Sequence, residues 1–591
     1  MGLYKLCTPI FFIFVENDEV EMSTSINIYQ IFTRLFANQN ESNVEFGTIK
    51  ENGCSKFNDV TSVALQELKK FGITHVWYTG IIRHASCTNY SKYGLTTDNP
   101  NVVKGRAGSP YAIKDYFDVD PDLATNVTLR MKEFENMVQR THMAGLKCII
   151  DFVPNHVSRE YHSDNLPLGG TSLGSYDDTT VAFSPHNNFY YIPNEDLQLP
   201  KDIVFPYNEK TPAYYEYPAK VTGNDVFSSH PSRNDWYETV KLNYGVDYQD
   251  FWRPYFDEIP DTWIRMMEIL EFWANKGVDG FRCDMAEMVP VQFWGWVIPQ
   301  IKDINSDIIF IAEIYNPDAY ATFLEIGHFD YLYDKVGLYD TMRLMVEGNG
   351  SAKYISDYWK RTEHLVGKML RFFENHDEQR IASRFFADDA NKARATMVLL
   401  ATLNPGPLMI YFGQEIGEKG MYKEGFSGID GRTSIFDYWS LPEYNKWVNG
   451  GAFDGGRLSE EQKDLREFYM KLLNFRLQSK AVQEGKFYDL MWKNYSGNLD
   501  SDKIYAYTRY TENEKLLVVI NFDFTQMHTF RLVLGEHLLE TMNCPLKGTM
   551  MLTEVFEHDF SDSFATEDVL EHGLPISILP NSALVFRLEW K

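Results

Sequence analysis

The sequence predicts an α/β protein built on a (β/α)8 barrel, and three observations carry that reading. Amphipathic helices alternate with short apolar strands along most of the chain, eight such strands can be marked, and polar residues gather at their C-terminal ends. Strands apolar on both faces belong to a parallel sheet covered by helices. An open doubly wound sheet would require a glycine-rich phosphate loop after an early strand, and neither G-x-G-x-x-G nor a Walker sequence is present.

In chain order, Asn27 to Phe32 is the first strand. Asn58 and Asp59 are expected to cap a helix whose apolar positions Val63, Leu65, Leu68 and Phe71 fall near helical spacing; Gly72 ends it and Ile73 to Tyr78 is the next strand. Met131, Phe134, Met137 and Val138 mark a helix closed by Gly145, before strand Lys147 to Val153. Residues 157 to about 245 lose the rhythm and are rich in Pro, Tyr, Asn and Asp, which marks a long functional excursion. Trp263, Met266, Met267 and Leu270 then lie on a helix before Gly277 and strand Gly280 to Asp284. A helix over 294–303 leads to strand Ile308 to Glu313, strands follow at Phe329 to Tyr333 and Met369 to Phe373, and a helix over 393–402 leads to strand Leu408 to Phe412. Beyond about residue 480, short alternating runs (Lys503 to Arg509, Leu516 to Phe522, Thr529 to Leu534) predict antiparallel β structure.

Composition narrows the function. Of 591 residues 44% are hydrophobic and 24% charged, which excludes general disorder. A formal charge of −27 argues against a nucleic acid or an anionic membrane surface and favours a neutral ligand. The six cysteines lack a Cys-x-x-Cys pair, so neither a zinc site nor a disulfide framework is indicated, and free thiols suit a reducing, cytoplasmic setting. At the N-terminus, Leu6 to Val15 resembles a weak signal peptide, yet Pro9 interrupts it and Glu16, Asp18, Glu19 and Glu21 follow. It is too short to span a bilayer. Residues 1–22 are therefore expected to be an extension ahead of the fold.

The chemistry lies at the strand ends, where barrels carry their sites: Asp151-Phe-Val-Pro-Asn155-His156, Arg282-Cys-Asp284, Glu313 and Glu374-Asn-His376-Asp377. Arg282 and Asp284 are two apart on a strand and share a face, where the cation is expected to keep Asp284 ionised. Glu313 closes the apolar run Ile308 to Ala312, where desolvation would favour its neutral form. An ionised carboxylate facing a protonated one is the requirement of retaining glycoside hydrolysis. Asp377 adds a third carboxylate, and His156 and His376 can bond sugar hydroxyls.

With these segments in order, and with Gly280-Phe-Arg-Cys-Asp284, Ala312-Glu313 and Phe373-Glu-Asn-His-Asp377 among them, the chain resembles the α-amylase family of glycoside hydrolases (family 13). Lys241-Leu-Asn243 is similar to the family's segment at the end of its inserted domain, and Tyr111-Ala-Ile-Lys-Asp115-Tyr116 to the stretch after strand 2. The resemblance implies a TIM barrel (23–156 and 246–478), an inserted domain B (157–245) after strand 3 and a C-terminal antiparallel β-sandwich (479–591), acting with retention on α-glucosidic bonds of malto-oligosaccharides or α-glucans. It also implies Asp284 as nucleophile, Glu313 as acid/base, Asp377 as transition-state stabiliser, and Tyr111, His156, Arg282 and His376 as holders of the −1 sugar. No cofactor is required; calcium is the one candidate, with Asn155 at the matching ligand position, although domain B offers no convincing carboxylate partner. Where many endo-acting members carry Lys-His, this chain has Glu287-Met288, so long chains on the leaving-group side are expected to gain little. Tyr214, Tyr215, Tyr217, Trp236 and Tyr237 form either a stacking wall or the core of domain B. A transglycosylase of the same fold and an inactive sugar-binding or transporter-associated barrel are the alternatives, and intact Asp284, Glu313 and Asp377 argue against the last.

Overall fold

The computed structural model describes residues 25–201, 212–426, 428–497 and 499–591, so the expected N-terminal extension, with its signal-like run, lies outside the described residues. Eight parallel strands form the central sheet: β1 (Asn27–Phe32), β2 (His75–Thr79), β3 (Lys147–Phe152), β4 (Gly280–Cys283), β5 (Ile309–Ala312), β6 (Tyr331–Tyr333), β7 (Met369–Leu370) and β8 (Leu408–Tyr411). Each pairs with the next from β1 to β7, β8 pairs with β1, and a parallel bridge from Arg371, just past β7, to Leu408 closes the ring. The strands are largely apolar because one side faces the barrel interior and the other the helices. Strand β1 is buried along its whole length. Gly280 opens β4 where a Cβ would lie 2.7 Å from Ile309 Cγ1 and 3.1 Å from Ile149 Cγ1, so only glycine lets the three central strands approach.

The covering helices include α1 (Ser62–Lys70), α2 (Arg130–Met143), α3 (Asp261–Asn275), α4 (Val291–Ile304), α5 (Tyr320–Glu325), α6 (Lys353–Thr362), α7 (Arg394–Thr402) and α8 (Glu460–Gln478). Their inward stripes are the predicted ones: Phe134, Met137 and Val138 on α2, and Trp263, Met266 and Leu270 on α3. The cap of α1 differs from expectation. Thr61 accepts the Ala64 N–H at 3.2 Å, whereas Asp59 accepts the Lys56 N–H at 2.7 Å within a separate turn, Phe57–Asp59. The extra turn delays the helix and leaves Val63 half exposed.

Among its described residues, the excursion after β3 consists of loops and two-stranded ribbons. His156–Ser158 pairs antiparallel with Thr239–Lys241, and Tyr191–Ile192 with Ala219–Lys220. Polar contacts hold it: the Asp177 carboxylate accepts from the Asn188 and Phe189 N–H groups and from the Tyr191 hydroxyl. After α8 a six-stranded antiparallel sheet and a two-stranded one, His528–Leu532 with Leu574–Ile578, form the C-terminal β structure. That structure packs on α7, which is buried from Ala395 to Thr402, and the contact is marked by Thr402 Oγ1 to the Tyr507 hydroxyl at 2.5 Å and Arg509 Nη1 to the Leu403 carbonyl at 3.0 Å.

Candidate active site

The barrel ladder sets the register of the site. Arg282 lies opposite Asp151 on β3 and Ile311 on β5, and backbone bonds from Asp284 N to Phe152 O and from Glu313 N to Cys283 O carry the ladder one residue past the strand ends. Asp284 and Glu313 therefore leave adjacent strands side by side. Between them stands Arg282, fully buried. Its Nη1 donates to Asp284 Oδ1 at 2.7 Å, and its Nη2 forms an ion pair with Glu313 Oε1 at the same distance. Nε donates to the Tyr333 hydroxyl at 3.1 Å, and the rings of Trp77, Tyr111 and Tyr333 surround the guanidinium at 5.4–5.5 Å. One rigid cation thus clamps both carboxylates. Cys283, between Arg282 and Asp284, points to the opposite face of the strand and is buried.

The carboxylates differ in protonation. Burial pushes Glu313 up to about 7, against the pull of Arg282 and with the help of Asp284 and Asp377. Burial also raises Asp284; the guanidinium and its hydrogen bond, expected to keep it ionised, oppose that larger effect of desolvation. For Asp377 desolvation is outweighed by the charge and hydrogen bond of His376, and its carboxyl is held below the usual range. The Asp377 side chain keeps 34% exposure, toward the cavity, with His376 Nε2 3.1 Å from its Oδ2.

The remaining predicted residues meet in the same place. Tyr111 stacks on His376 with ring centroids 5.2 Å apart and its hydroxyl 2.5 Å from Nε2, while His376 Nδ1 is 2.8 Å from Gln30 Nε2. His156 lies against Trp236 at 5.1 Å, and burial lowers its pKa to about 4, so it is neutral near pH 7. The cavity holds about 320 Å³, within the usual range for small-ligand sites. Tyr111, His156, Asp284, Glu313 and Asp377 line its floor. Lys104, Ser109, Trp236, Glu238, Thr239, Tyr315, Phe426, Ile435 and Phe436 are among the residues that wall it. Of the five domain B aromatics, Trp236 is wall, Tyr237 is core, Tyr214 bonds Glu216, and Tyr215 and Tyr217 are exposed.

One candidate role is set aside. Asn155 does not fit a calcium ligand: its Oδ1 accepts from Lys241 Nζ at 2.5 Å and its Nδ2 donates to the Gly223 carbonyl at 2.8 Å. The buried Lys241 ammonium also reaches Asp225 Oδ1 at 2.7 Å and the Met288 carbonyl at 3.2 Å, so a side-chain cation gathers oxygens from three segments. Among the described residues, no cluster of three His, Cys, Asp or Glu could hold a metal. Glu287, expected to add little for long chains on the leaving-group side, is engaged with backbone: its Oε2 accepts the N–H groups of Tyr315 and Asn316 at 3.2 and 3.1 Å.

A family model, the alpha amylase catalytic domain, matches residues 30–446. The chain belongs to the α-amylase family. Alpha-amylase 3 of Dictyoglomus thermophilum is 27% identical over 438 residues, 70% of this chain and 74% of that protein. A cyclomaltodextrinase of a Bacillus species is 23% identical over 540 residues, 88% of this chain and 76% of that one. The crystal structure of a maltogenic α-amylase from Thermotoga neapolitana shares the fold with a TM-score of 0.60, at 19% identity over 96% of this chain and 99% of that one.

Several residues of this α-amylase family site are not singled out by the sequence. Gln30 carries a readable signal, an amide in the middle of the largely apolar strand Asn27–Phe32. Tyr315 sits two residues past Glu313 in extended phase, which is also readable. Phe426 and Phe436 lie in the irregular loop after β8 and carry none. That loop is tied to the one before Tyr111 by Ala107 and Gly108 N–H bonds to the Phe436 carbonyl, where Gly105, at φ 63°, leaves room for the close approach.

Proposed function

We propose that this protein hydrolyses α-glucosidic bonds of malto-oligosaccharides or α-glucans with retention of configuration. The observation that carries the reading is the single guanidinium clamping Asp284 and Glu313 at adjacent strand ends, with Glu313 raised to about 7. Asp284 is the nucleophile: a carboxylate oxygen bonds the anomeric carbon as the glycosidic C–O bond breaks. Glu313 gives its proton to the departing oxygen. It then takes a proton from the water that displaces Asp284. Asp377, the most acidic of the three, faces the sugar as positive charge develops. Tyr111, His156, His376 and Arg282 hold the −1 ring, the neutral His156 both accepting and donating.

Asp284→Asn, nearly isosteric, should fold normally and lose almost all turnover on maltotriose, since an amide is a poor nucleophile. Near-wild-type turnover would remove Asp284 from the mechanism. The apolar wall of Trp236, Phe426, Ile435 and Phe436 supports a second reading, transfer to a sugar hydroxyl in place of water. Products longer than maltotriose would establish it; glucose and maltose alone would establish hydrolysis. A panel of α-1,4, α-1,6 and α-1,1 linked sugars identifies the bond.

A further inference from the structure

Glu313 is held by more than the strand that carries it. Its Oε2 accepts the Met285 backbone N–H at 2.8 Å, and its Oε1 accepts the Tyr315 hydroxyl at 2.7 Å beside the Arg282 ion pair. Tyr315 is itself fixed from below, because Glu287, in the turn after β4, binds the Tyr315 and Asn316 N–H groups through one carboxylate oxygen. Asn316 then caps the next turn, its side chain accepting the Asp318 N–H at 3.1 Å. A carboxylate on one strand-end loop thus aims a phenol on the neighbouring loop at Glu313.

We propose that Tyr315 is a positioning residue for Glu313, donating to it in its carboxylate form, and that Glu287 holds Tyr315 in that place. The proposal rests on the acid/base role of Glu313 given above. When Glu313 has passed its proton to the leaving oxygen, the Tyr315 O–H supports the new negative charge; when Glu313 recovers a proton from water, the bond is given up. No proton leaves Tyr315, whose phenol is pushed far above its usual range by burial and by the facing Glu313 charge. The other groups facing Glu313 remain in every variant: Arg282 and the Met285 N–H favour its charged form, Asp284, Asp377 and Asp151 disfavour it, and Tyr333 reaches it beside Arg282.

The sign follows. A donor to the carboxylate lowers its pKa, so removing it raises the pKa of Glu313 and keeps the acid protonated to higher pH. The basic limb of kcat/KM, measured on a maltoside with an alkyl leaving group, should move upward by about 0.4–1 pH unit in Tyr315→Phe, the shift expected from one hydrogen bond. Glu287→Ala should move it the same way. Glu287→Gln, which keeps an acceptor oxygen, should stay near wild type. A limb unmoved in both Tyr315→Phe and Glu287→Ala overturns the proposal. A basic limb that survives in Glu313→Gln overturns instead the acid/base assignment beneath it, so the two failures are distinct.

Discussion

Arg282 has two tasks that pull in opposite directions, and the balance between them decides the chemistry. It must leave Asp284 charged enough to attack while leaving Glu313 protonated enough to donate, and it does so because burial and the two neighbouring carboxylates act more strongly on Glu313 than the guanidinium does. Glu313→Gln tests the outcome. It should lose about 10²–10⁴-fold on substrates with poor leaving groups, the usual worth of general acid catalysis, and far less on an activated aryl glycoside that departs without a proton. Equal losses on both substrates would contradict the assignment. The pair is legible in the sequence because alternation on a strand fixes the shared face of residues 282 and 284, and because an apolar run ending in Glu announces a desolvated acid. The contact between Tyr315 and Glu287 is not, since it spans 28 residues and exists only once β4 and β5 are neighbours.

At the level of elements, Lys241 shows how the excursion is fastened to the barrel. Its ammonium bonds Asn155 at the end of β3, Asp225 within the excursion and the Met288 carbonyl after β4, and it lies 5.3 Å from the Tyr248 ring. Calcium comes to Asn155 only through the family resemblance; its partner here, the lysine of Lys241-Leu-Asn243, is 86 residues along the chain and meets it only in the fold. Lys241→Met keeps the packing and removes the donor. Leaving buried acceptors unpaired should cost about 1–3 kcal/mol. Limited proteolysis within 157–245 should therefore quicken, and kcat/KM should fall as His156 and Trp236 lose their fixed places. Wild-type resistance to proteolysis would show that the ammonium is dispensable. The strands of the barrel are readable to within a few residues because they are apolar on both faces; the caps are less so, as Thr61 in place of Asn58 or Asp59 shows, because several capping residues compete in one short stretch.

For the molecule as a whole, the C-terminal β structure completes the barrel's outer layer at one point. Helix α7 is apolar on nearly every side, and a helix of that kind must be covered on both. The barrel covers one side, and Tyr507, Arg509 and their strands the other. A chain ending at Gln478 should consequently aggregate or unfold on expression, and recovery of a soluble, fully active 1–478 fragment would refute the dependence. The walls of the cavity belong to this scale too: they come from the loops before Tyr111, after β3, after β5 and after β8, segments with no shared motif, which is why the floor of the site is readable from sequence while most of its walls, Trp236 and Tyr315 apart, are not. The central claim, a covalent intermediate on Asp284 served by Glu313, is tested most directly by peptide mass mapping of Glu313→Gln after reaction with α-maltosyl fluoride, whose leaving group needs no acid and whose adduct then lacks a base for its hydrolysis. The account predicts a maltosyl adduct on the peptide containing Asp284. Fluoride release with no adduct, or an adduct on Asp151 or Asp377, would contradict it.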